Sequence, residues 1–225
     1  MTQNTTTLPT DFGARWVSTL SESFLGKTDS LGDLDRQVGD GDFGSNIATA
    51  LRLTKSNIDQ GAPETYSQWV TALSRGFLGV GGTSGPLFGM FFRDLARCTS
   101  GQEPTLEEFA AGLTAGVATV QRYGKAEVGH KTMVDAIVPA SQTLNAQVAE
   151  GAEPAAALEA AAAAAVEGAQ STAAILARRG RASYVGELAR GVLDPGAAAA
   201  AIMIQAAAVA ATGTEGPVDT SWITE

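Results

Sequence analysis

Apolar residues recur at helical spacing through almost the whole chain. This periodicity limits the fold classes open to the chain more than any other feature of the sequence. Phe12, Trp16, Leu20 and Phe24 follow one another at four-residue intervals, which places them on one face of a helix. No stretch alternates apolar and polar residues ahead of a hairpin turn. The sequence therefore predicts an all-α fold, an antiparallel bundle or closed barrel of about eight helices joined by short connections.

Capping residues and helix breakers predict where individual helices begin and end. A Ser, Thr, Asp or Asn ahead of a periodic apolar stretch, or a Pro in its first turn, marks an N-terminus. The expected starts are Ser45 or Asn46 for one helix, Thr65 and Thr105 as caps of two others, Pro154 for the longest helix, and residues 194–196 for the last. We expect the longest helix to reach about residue 178, and short helices to span residues 30–35 and 184–190.

Length and composition predict one domain. The chain has 225 residues, of which 44% are apolar, so a single domain over residues 1–225 can bury a substantial core. We expect residues 1–8 and 213–225 to be peripheral tails. The formal net charge is -9 and the lysines and arginines form no large cluster, which argues against nucleic acid as a partner.

Neither a membrane span nor a secretory leader is predicted. The alanine-rich stretches at residues 155–165 and 197–211 are short, contain a polar residue and consist mostly of a weakly apolar one. Residues 1–10 lack the basic and apolar order of a signal peptide. Cys98 is the only cysteine, which fits a reducing compartment. We therefore expect a cytoplasmic protein that contacts no membrane.

A glycine-containing loop carries three aspartates, Asp35, Asp40 and Asp42. Two carboxylates in van der Waals contact repel by roughly 4 kcal/mol at an effective dielectric constant of about 20, so a fold that gathers all three needs a cation. Mg²⁺ bound together with a phosphate suits such ligands. A calcium-binding hand fails in either register, because Val38 or Leu51 stands where a Gly or a Glu is required. The alternative, in which the aspartates are only solvated or cap a helix, stays open.

Two further loops lead into helix N-termini, where free N–H groups and the helix dipole favour an anion. Residues 79–85 form a glycine-rich loop, and residues 194–196 read Asp-Pro-Gly. The first of these loops is not a dinucleotide fingerprint, because no β-α-β unit is expected; it is either a plain turn or a phosphate site. Arg181 either balances the dipole at a helix end or stabilises phosphate charge, and the residues alone leave both interpretations open.

Five short blocks together resemble the nucleotide-binding L subunit of dihydroxyacetone kinase. The blocks are Asp35-x4-Asp40-Gly41-Asp42, Gly-Gly-Thr-Ser-Gly-Pro-Leu at 81–87, Lys-Thr-Met-Val-Asp-Ala at 131–136, Gly-Arg-Ala-Ser-Tyr-Val-Gly-Glu at 180–187 and Asp-Pro-Gly-Ala at 194–197. Their order and spacing cover nearly the whole chain. The resemblance implies a barrel of about eight helices with a nucleotide and two Mg²⁺ ions in the loops at one end.

By position, the resemblance also implies which residues form the site. Asp35, Asp40 and Asp42 would be the metal ligands. Arg181 would be catalytic, by stabilising phosphate charge. ADP or ATP would be surrounded by Phe43, Gly44, Ser45, Asn46, Thr83, Ser84, Gly124, Met133, Arg181, Asp194, Pro195 and Gly196.

The implied reaction is phosphoryl transfer to dihydroxyacetone, or a related small ketose or polyol, held on a separate K subunit. The base that acts on the substrate hydroxyl would then lie outside this chain. The phosphoryl donor would be a phosphoprotein of the phosphotransferase system (PTS), which recharges tightly held ADP. The alternatives are an ATP-dependent kinase subunit with exchangeable nucleotide, and a nucleotide-dependent regulatory protein that acts on a transcription factor. A homodimer is compatible with the sequence.

Four positions depart from the family pattern. Phe43 stands where His is usual, which removes a side-chain phosphate contact but would leave the backbone N–H for that role. Leu188 and Val192 stand where Arg and His are frequent, and His130 stands where Asp is common. These departures leave the three aspartates intact and affect nucleotide contacts, partner choice or substrate.

Overall fold

The computed structural model describes residues 6–214 and 216–223, and its regular elements are helices. The α-helices are α1 (Phe12–Leu25), α2 (Thr28–Val38), α3 (Phe43–Gly61), α4 (Tyr66–Leu78), α5 (Ser84–Ala96), α6 (Leu106–Gly124), α7 (Val134–Ala149), α8 (Pro154–Ser171), α9 (Ala182–Val185) and α10 (Pro195–Ala211). Short 3-10 helices occupy Thr172–Ala174 and Gly186–Ala189. Within the described ranges the only β pairing is one isolated bridge between Thr7 and Thr105. The all-α prediction is confirmed.

The helices pack in a closed order, but their number differs from the expected eight. From α3 to α8 each helix packs on the next, α8 packs on α10, α10 packs on α1, and α1 returns to α3 and α4. The segment expected as a short turn at residues 30–35 is the 11-residue helix α2, which packs on α3 and α10. The described residues thus contain nine α-helices of eleven or more residues, with α9 as a short tenth.

Caps that depend on neighbouring residues were predicted well. Thr65 and Thr105 both form capping boxes. In each, the Thr hydroxyl accepts the backbone N–H of the residue three positions later, Gln68 or Glu108, and the side chain of that residue accepts the backbone N–H of the Thr. The side chain of Asp194 caps α10 by accepting the N–H of Ala197 at 2.7 Å. These contacts span only three residues, which is why the sequence predicts them.

Other predicted boundaries are wrong. Helix α3 begins at Phe43, so Ser45 lies in its first turn and does not cap it. Helix α8 ends at Ser171, short of residue 178, and the chain continues as the 3-10 helix Thr172–Ala174, whose first carbonyl oxygen also accepts a hydrogen bond from the distant Lys131. It is also not the longest helix, since α3 and α6 have 19 residues each. The expected helix at 184–190 is divided between α9 and a 3-10 helix.

Aromatic side chains and alanines fill the core between these helices. The rings of Phe12, Trp16, Tyr66 and Phe109 stack or meet edge to face, with centroid separations from 5.4 to 6.5 Å. The Trp16 indole N–H donates to the carbonyl oxygen of Met203 at 3.0 Å, which ties α1 to α10. Helix α10 is buried along nearly all of its sides. Its alanines allow neighbouring helices to approach closely.

The terminal segments pack more closely than the sequence suggests. Leu8, Val218 and Ile223 are buried in the main core, although each lies in or at the edge of an expected tail. The N–H of Val218 donates to the hydroxyl of Ser23 at 3.2 Å. Residues 1–5, 215 and 224–225 lie outside the described residues. No described helix is both long enough and apolar enough to cross a membrane.

Candidate active site

One end of the bundle holds a cleft of about 1000 Å³, including the part open to solvent, which is in the size range of small-molecule sites. Its walls come from the C-terminal turns of α2 and α6 and from the N-terminal turns of α3, α5, α7 and α10. Helix N-termini and C-termini meet there because successive helices run in opposite directions. The dipoles of four helix N-termini consequently favour an anion in this cleft.

Asp35 organises the loop that joins α2 to α3. It is buried in the last turn of α2, and its Oδ2 accepts the backbone N–H of Phe43 at 3.1 Å. Gly41 allows the loop to turn, with a φ of +78° that few other residues adopt. The Phe43 ring is buried with its centroid 6.5 Å from that of Phe88. Because this N–H bonds to Asp35, a phosphate would have to compete with that carboxylate for it.

Asp40 forms an ion pair with Arg181 beside the cleft. Arg181 belongs to the segment 173–193, which we call the arginine loop. Its arginines are Arg178, Arg179, Arg181 and Arg190. Both side chains of the Asp40–Arg181 pair are substantially exposed, at 35% and 54%, so water and salt weaken it. A phosphate or a divalent cation can therefore compete for either partner.

Asp42 takes a different position from the other two aspartates. It is the exposed N-cap residue of α3, its side chain makes no capping hydrogen bond, and it is not part of the cleft lining. Its carbonyl oxygen accepts the hydroxyl of Ser45 at 2.8 Å. The structure thus brings Asp35 and Asp40 into the cleft lining. Asp42 is close to them in the sequence but is not part of the lining.

Asp194 lies where the cleft meets α10. Its Oδ2 caps the helix at Ala197, and its own N–H donates to the hydroxyl of Thr172 at 2.9 Å. Burial raises the pKa of Asp194 to about 7, against the lowering effects of the Ala197 N–H and the Lys131 charge. The negative charges of Asp135 and Asp35 raise this pKa further. Asp194 is therefore partly protonated near neutral pH, unlike an ordinary aspartate.

Lys131 is a buried cation in the wall of the cleft, with 1% of its surface exposed. Its Nζ donates to the carbonyl oxygens of Thr172 at 2.6 Å and Val192 at 2.5 Å. Burial lowers the pKa of Lys131, while the charges of Asp194 and Asp135 raise it. Because a buried lysine is costly without partners, these carbonyls and carboxylates account for its position.

The residues present fit Mg²⁺ held together with phosphate oxygens, and do not fit a cage made of protein ligands alone. No group of three or more His, Cys, Asp or Glu side chains within the described residues is placed to hold a metal. Asp35 and Asp40 both line the cleft. One or two carboxylates completed by water and substrate phosphate are the usual Mg²⁺ environment.

Most of the predicted site residues meet in this one cleft. Those in its lining are Asp35, Asp40, Phe43, Asn46, Thr83, Ser84, Gly124, Met133, Arg181, Asp194, Pro195 and Gly196. Those outside the lining are Asp42, Gly44 and Ser45. Gly44 is buried against α2 instead, where a Cβ would overlap the carbonyl oxygen of Thr28. Its small size is thus needed for helix packing.

Sequence reasoning missed some lining residues. Lys131 and Arg179 contribute charge to the cleft, and Leu87, Val120 and Ala126 contribute apolar surface. Lys131 stands in the 131–136 block, but a lysine in a polar loop gives no sign of being buried. The apolar residues follow ordinary helical spacing, which does not separate a cleft wall from a core.

Of the four departures from the family pattern, Phe43 lines the cleft and the other three lie outside its lining. Leu188 is 81% exposed in the arginine loop, whereas Val192 is partly buried. The His130 Nδ1 accepts the N–H of Glu127 at 3.1 Å, and its carbonyl oxygen accepts the N–H of Arg178 at 3.2 Å. His130 therefore joins the loop after α6 to the arginine loop through its main chain.

An all-helical domain with acidic side chains, arginines and helix N-termini around one end cleft defines a class built for phosphate-bearing ligands. The comparison with protein families identifies the family within that class. The DAK2 domain model matches residues 37–209, so the chain belongs to the DAK2 domain family. The predicted resemblance to L subunits of dihydroxyacetone kinase is confirmed, and with it membership of a family of phosphotransferase subunits.

Two curated relatives cover nearly the same length as this chain. The ADP-binding subunit DhaL of the PEP-dependent dihydroxyacetone kinase of Escherichia coli is 37% identical over 202 residues, covering 87% of this chain and 94% of the relative. The corresponding subunit of kinase 1 from Listeria innocua is 32% identical, with the same coverage. The similarity therefore extends over most of this chain and nearly all of each relative.

A solved structure agrees with the fold. The dihydroxyacetone kinase from C. freundii in complex with AMP-PNP and Mg²⁺ superposes with a TM-score of 0.66 and 28% identity, over 92% of this chain. This chain corresponds to 35% of that protein, so it spans about a third of the larger kinase. The helical arrangement is thus that of one part of a larger enzyme.

Proposed function

We propose that the chain is the nucleotide-binding subunit of a two-protein phosphotransferase, which binds ADP or ATP with Mg²⁺ and transfers a phosphoryl group to dihydroxyacetone or a related small ketose or polyol. The observation that carries this proposal is the cleft itself. It joins two carboxylates, helix N-termini and Arg181 in a chain of the DAK2 domain family. The E. coli and Listeria relatives named ADP-binding subunits support it.

The proposed roles combine the family resemblance with the positions of the side chains. Asp35 and Asp40 hold two Mg²⁺ ions, and Asp42 adds a carboxylate that makes no capping contact. When bound, the Mg²⁺–nucleotide supplies the transferable phosphoryl group and the cations that neutralise its oxygens. Gly44 and Ser45 lie in the first turn of α3, where a helix offers no internal acceptor for N–H groups. Arg181 leaves Asp40 and stabilises phosphate charge.

The remaining predicted residues shape the nucleotide site. Thr83 and Ser84 stand at the start of α5, where backbone and hydroxyl donors meet the cleft. The apolar wall beside Met133 and Gly124 suits an adenine ring. Asn46, Asp194, Pro195 and Gly196 complete the lining on the side of α3 and α10.

The acceptor belongs to a partner of the K type. We infer that this partner docks on the rim of the cleft. Five of the seven large apolar side chains that are exposed in the described residues lie on two segments next to the cleft lining, residues 123–128 and the arginine loop. They are Tyr123, Val128, Leu176, Tyr184 and Leu188. An apolar rim with arginines beside it is typical of a protein interface. We place the assembly in the cytoplasm.

Identification of the retained nucleotide tests the donor. Freshly purified protein is passed through gel filtration with Mg²⁺ and then denatured, and the released nucleotide is identified by chromatography. Stoichiometric ADP supports recharging in place by a PTS phosphoprotein. A site that empties and refills with ATP supports the exchangeable form. Failure to bind either nucleotide would overturn the proposal.

The metal assignment is tested by Asp40→Asn, with Asp33→Asn as the matched control. Asp33 is an exposed aspartate of the same helix region that pairs with Arg36 and does not line the cleft. We expect Asp40→Asn to raise the ADP dissociation constant in Mg²⁺ by about tenfold or more, or ~1.4 kcal/mol, because a charged ligand is lost. The measurement is calorimetric titration with and without EDTA. An equal affinity in both variants would contradict the role of Asp40.

A further inference from the structure

The arginine loop is a long connection whose two ends meet. It runs for 21 residues, from within the 3-10 turn after α8 to the residue before the N-cap of α10, with only short helical turns of its own. Connections of this length in a compact domain usually have a functional reason. Since Arg179 and Arg181 line the cleft, the position of this loop decides where their charges lie.

The loop has a small apolar base of its own. Val38 from α2 packs with Ala177, Ala182 and Ala189, while Val185 and Val192 are partly buried against them. Three of the four fully buried side chains are single methyl groups, so the middle of the loop buries little apolar surface and is held weakly. Polar contacts at the two ends of the loop must therefore contribute much of its placement.

Lys131 bridges these two ends. Its Nζ donates to the carbonyl oxygen of Thr172, just before the loop begins, and to the carbonyl oxygen of Val192, near its C-terminal end. Beside it, the N–H of Gly191 donates to the carbonyl oxygen of Ala173 at 2.8 Å, and the N–H of Asp194 donates to the Thr172 hydroxyl. Hydrogen bonds from a charged donor are stronger than those between neutral groups. Arg190 adds an exposed second link, since its Nη1 donates to the carbonyl oxygen of Ala174 at 2.9 Å. Lys131 is the buried cation that joins both ends of the loop.

Lys131 is itself held in an unusual conformation. Its φ is +60°, in the left-handed region that few residues other than glycine adopt. Asp135 fixes the turn around it by accepting the N–H of Thr132 at 2.8 Å and the N–H of Gly129 at 2.5 Å. The backbone is therefore arranged so that the lysine points at the base of the arginine loop.

We propose that Lys131 is a positioning residue that latches the base of the arginine loop and thereby holds Arg181 at the cleft. Two of the three ammonium donors are used by the carbonyls of Thr172, just before the loop, and of Val192, near its end, so the lysine acts through the loop and not as the main phosphate contact. The proposal extends the nucleotide site of the proposed function. Its structural part, the latch, stands on the loop geometry alone.

The test compares Lys131→Met with Lys131→Arg, and uses Lys55→Met as the matched control. Lys55 is an exposed lysine that pairs with Asp59 on α3, away from the cleft. Limited trypsin digestion of the folded protein reports on the loop, because Arg178, Arg179 and Arg181 are exposed cleavage sites. Stopped-flow release of ADP in Mg²⁺ reports on the site, and circular dichroism reports on helix content.

For Lys131→Met we expect trypsin cleavage within residues 178–190 to be about tenfold faster, which corresponds to ~1.4 kcal/mol. We expect ADP release to accelerate to a similar extent and the helix content to stay unchanged. Lys131→Arg keeps a charged donor for both carbonyls and should behave closer to the wild type. Lys55→Met should match the wild type in both measurements. If the wild type binds no ADP, the proposed function fails while the trypsin result still decides the latch.

Two results would overturn the latch. One is a loop in Lys131→Met that stays as protected as in the wild type; if ADP release is nevertheless faster, the lysine is a direct nucleotide contact. The other is cleavage that rises equally throughout the chain, which would make Lys131 a general stability residue.

Discussion

At Asp194, burial and hydrogen bonding act in opposite directions on one carboxyl group. Burial raises its pKa to about 7, while the Ala197 N–H and Lys131 favour the charged form. The group therefore takes up a proton when the chain folds at pH values between its unfolded pKa of about 3.9 and its folded value. Its contribution to stability is full below the unfolded pKa and is lost as the pH rises towards 7.

We predict that Asp194→Asn removes this pH dependence, because the amide still caps α10 but does not titrate. From pH 4.5 to 6.5, roughly, the wild-type free energy of unfolding should fall relative to that of the variant by up to ~1.4 kcal/mol per pH unit. The measurement is urea unfolding at several pH values with EDTA and without nucleotide. Parallel curves for the two proteins would show that Asp194 has an ordinary pKa.

At the scale of elements, α2 and α3 meet closely through glycine. A Cβ on Gly44 would overlap the Thr28 carbonyl oxygen and come within 3.1 Å of the Gly32 nitrogen. Both of these atoms belong to the main chain and have little freedom to move aside. This contact fixes the distance between α2 and α3, which the aspartate-bearing loop joins. At that distance the Asp35 carboxylate of α2 accepts the N–H of Phe43 on α3.

We predict that Gly44→Ala destabilises the protein by about 1–3 kcal/mol through overpacking. Gly61→Ala, at the end of the same helix, has no atom within 4 Å of the added Cβ and should be neutral or slightly stabilising. Chemical denaturation of both variants measures the difference. A Gly44→Ala variant as stable as Gly61→Ala would mean that α2 and α3 separate at little cost.

At the scale of the whole molecule, exposed apolar side chains are concentrated at the cleft end. Tyr184 is 90% exposed and Leu188 is 81% exposed, both in the arginine loop. Leu25, at 58%, lies instead on α1 and borders a different cavity. The molecule thus presents one face on which a partner that carries the acceptor can cover both the rim and the nucleotide.

We predict that the double variant Tyr184→Ser with Leu188→Ser weakens binding of a K-type subunit by about 30-fold, since buried aromatic anchors at interfaces contribute ~2 kcal/mol or more. Nucleotide retention and thermal stability should stay close to the wild type, because neither side chain is buried. Surface plasmon resonance gives the affinity, and Leu25→Ser provides the control. Equal affinities for all three proteins would place the interface elsewhere.

The sequence by itself determined the features that depend on near neighbours: helical periodicity, the capping boxes at Thr65 and Thr105, and the motif blocks that show the family. Only the tertiary structure decided that α8 ends at Ser171, that Asp40 meets Arg181, and that Lys131 is buried. Lys131 bonds to residues 41 and 61 positions away in the chain. Such contacts arise from packing of distant segments, and no local pattern of residue types encodes them.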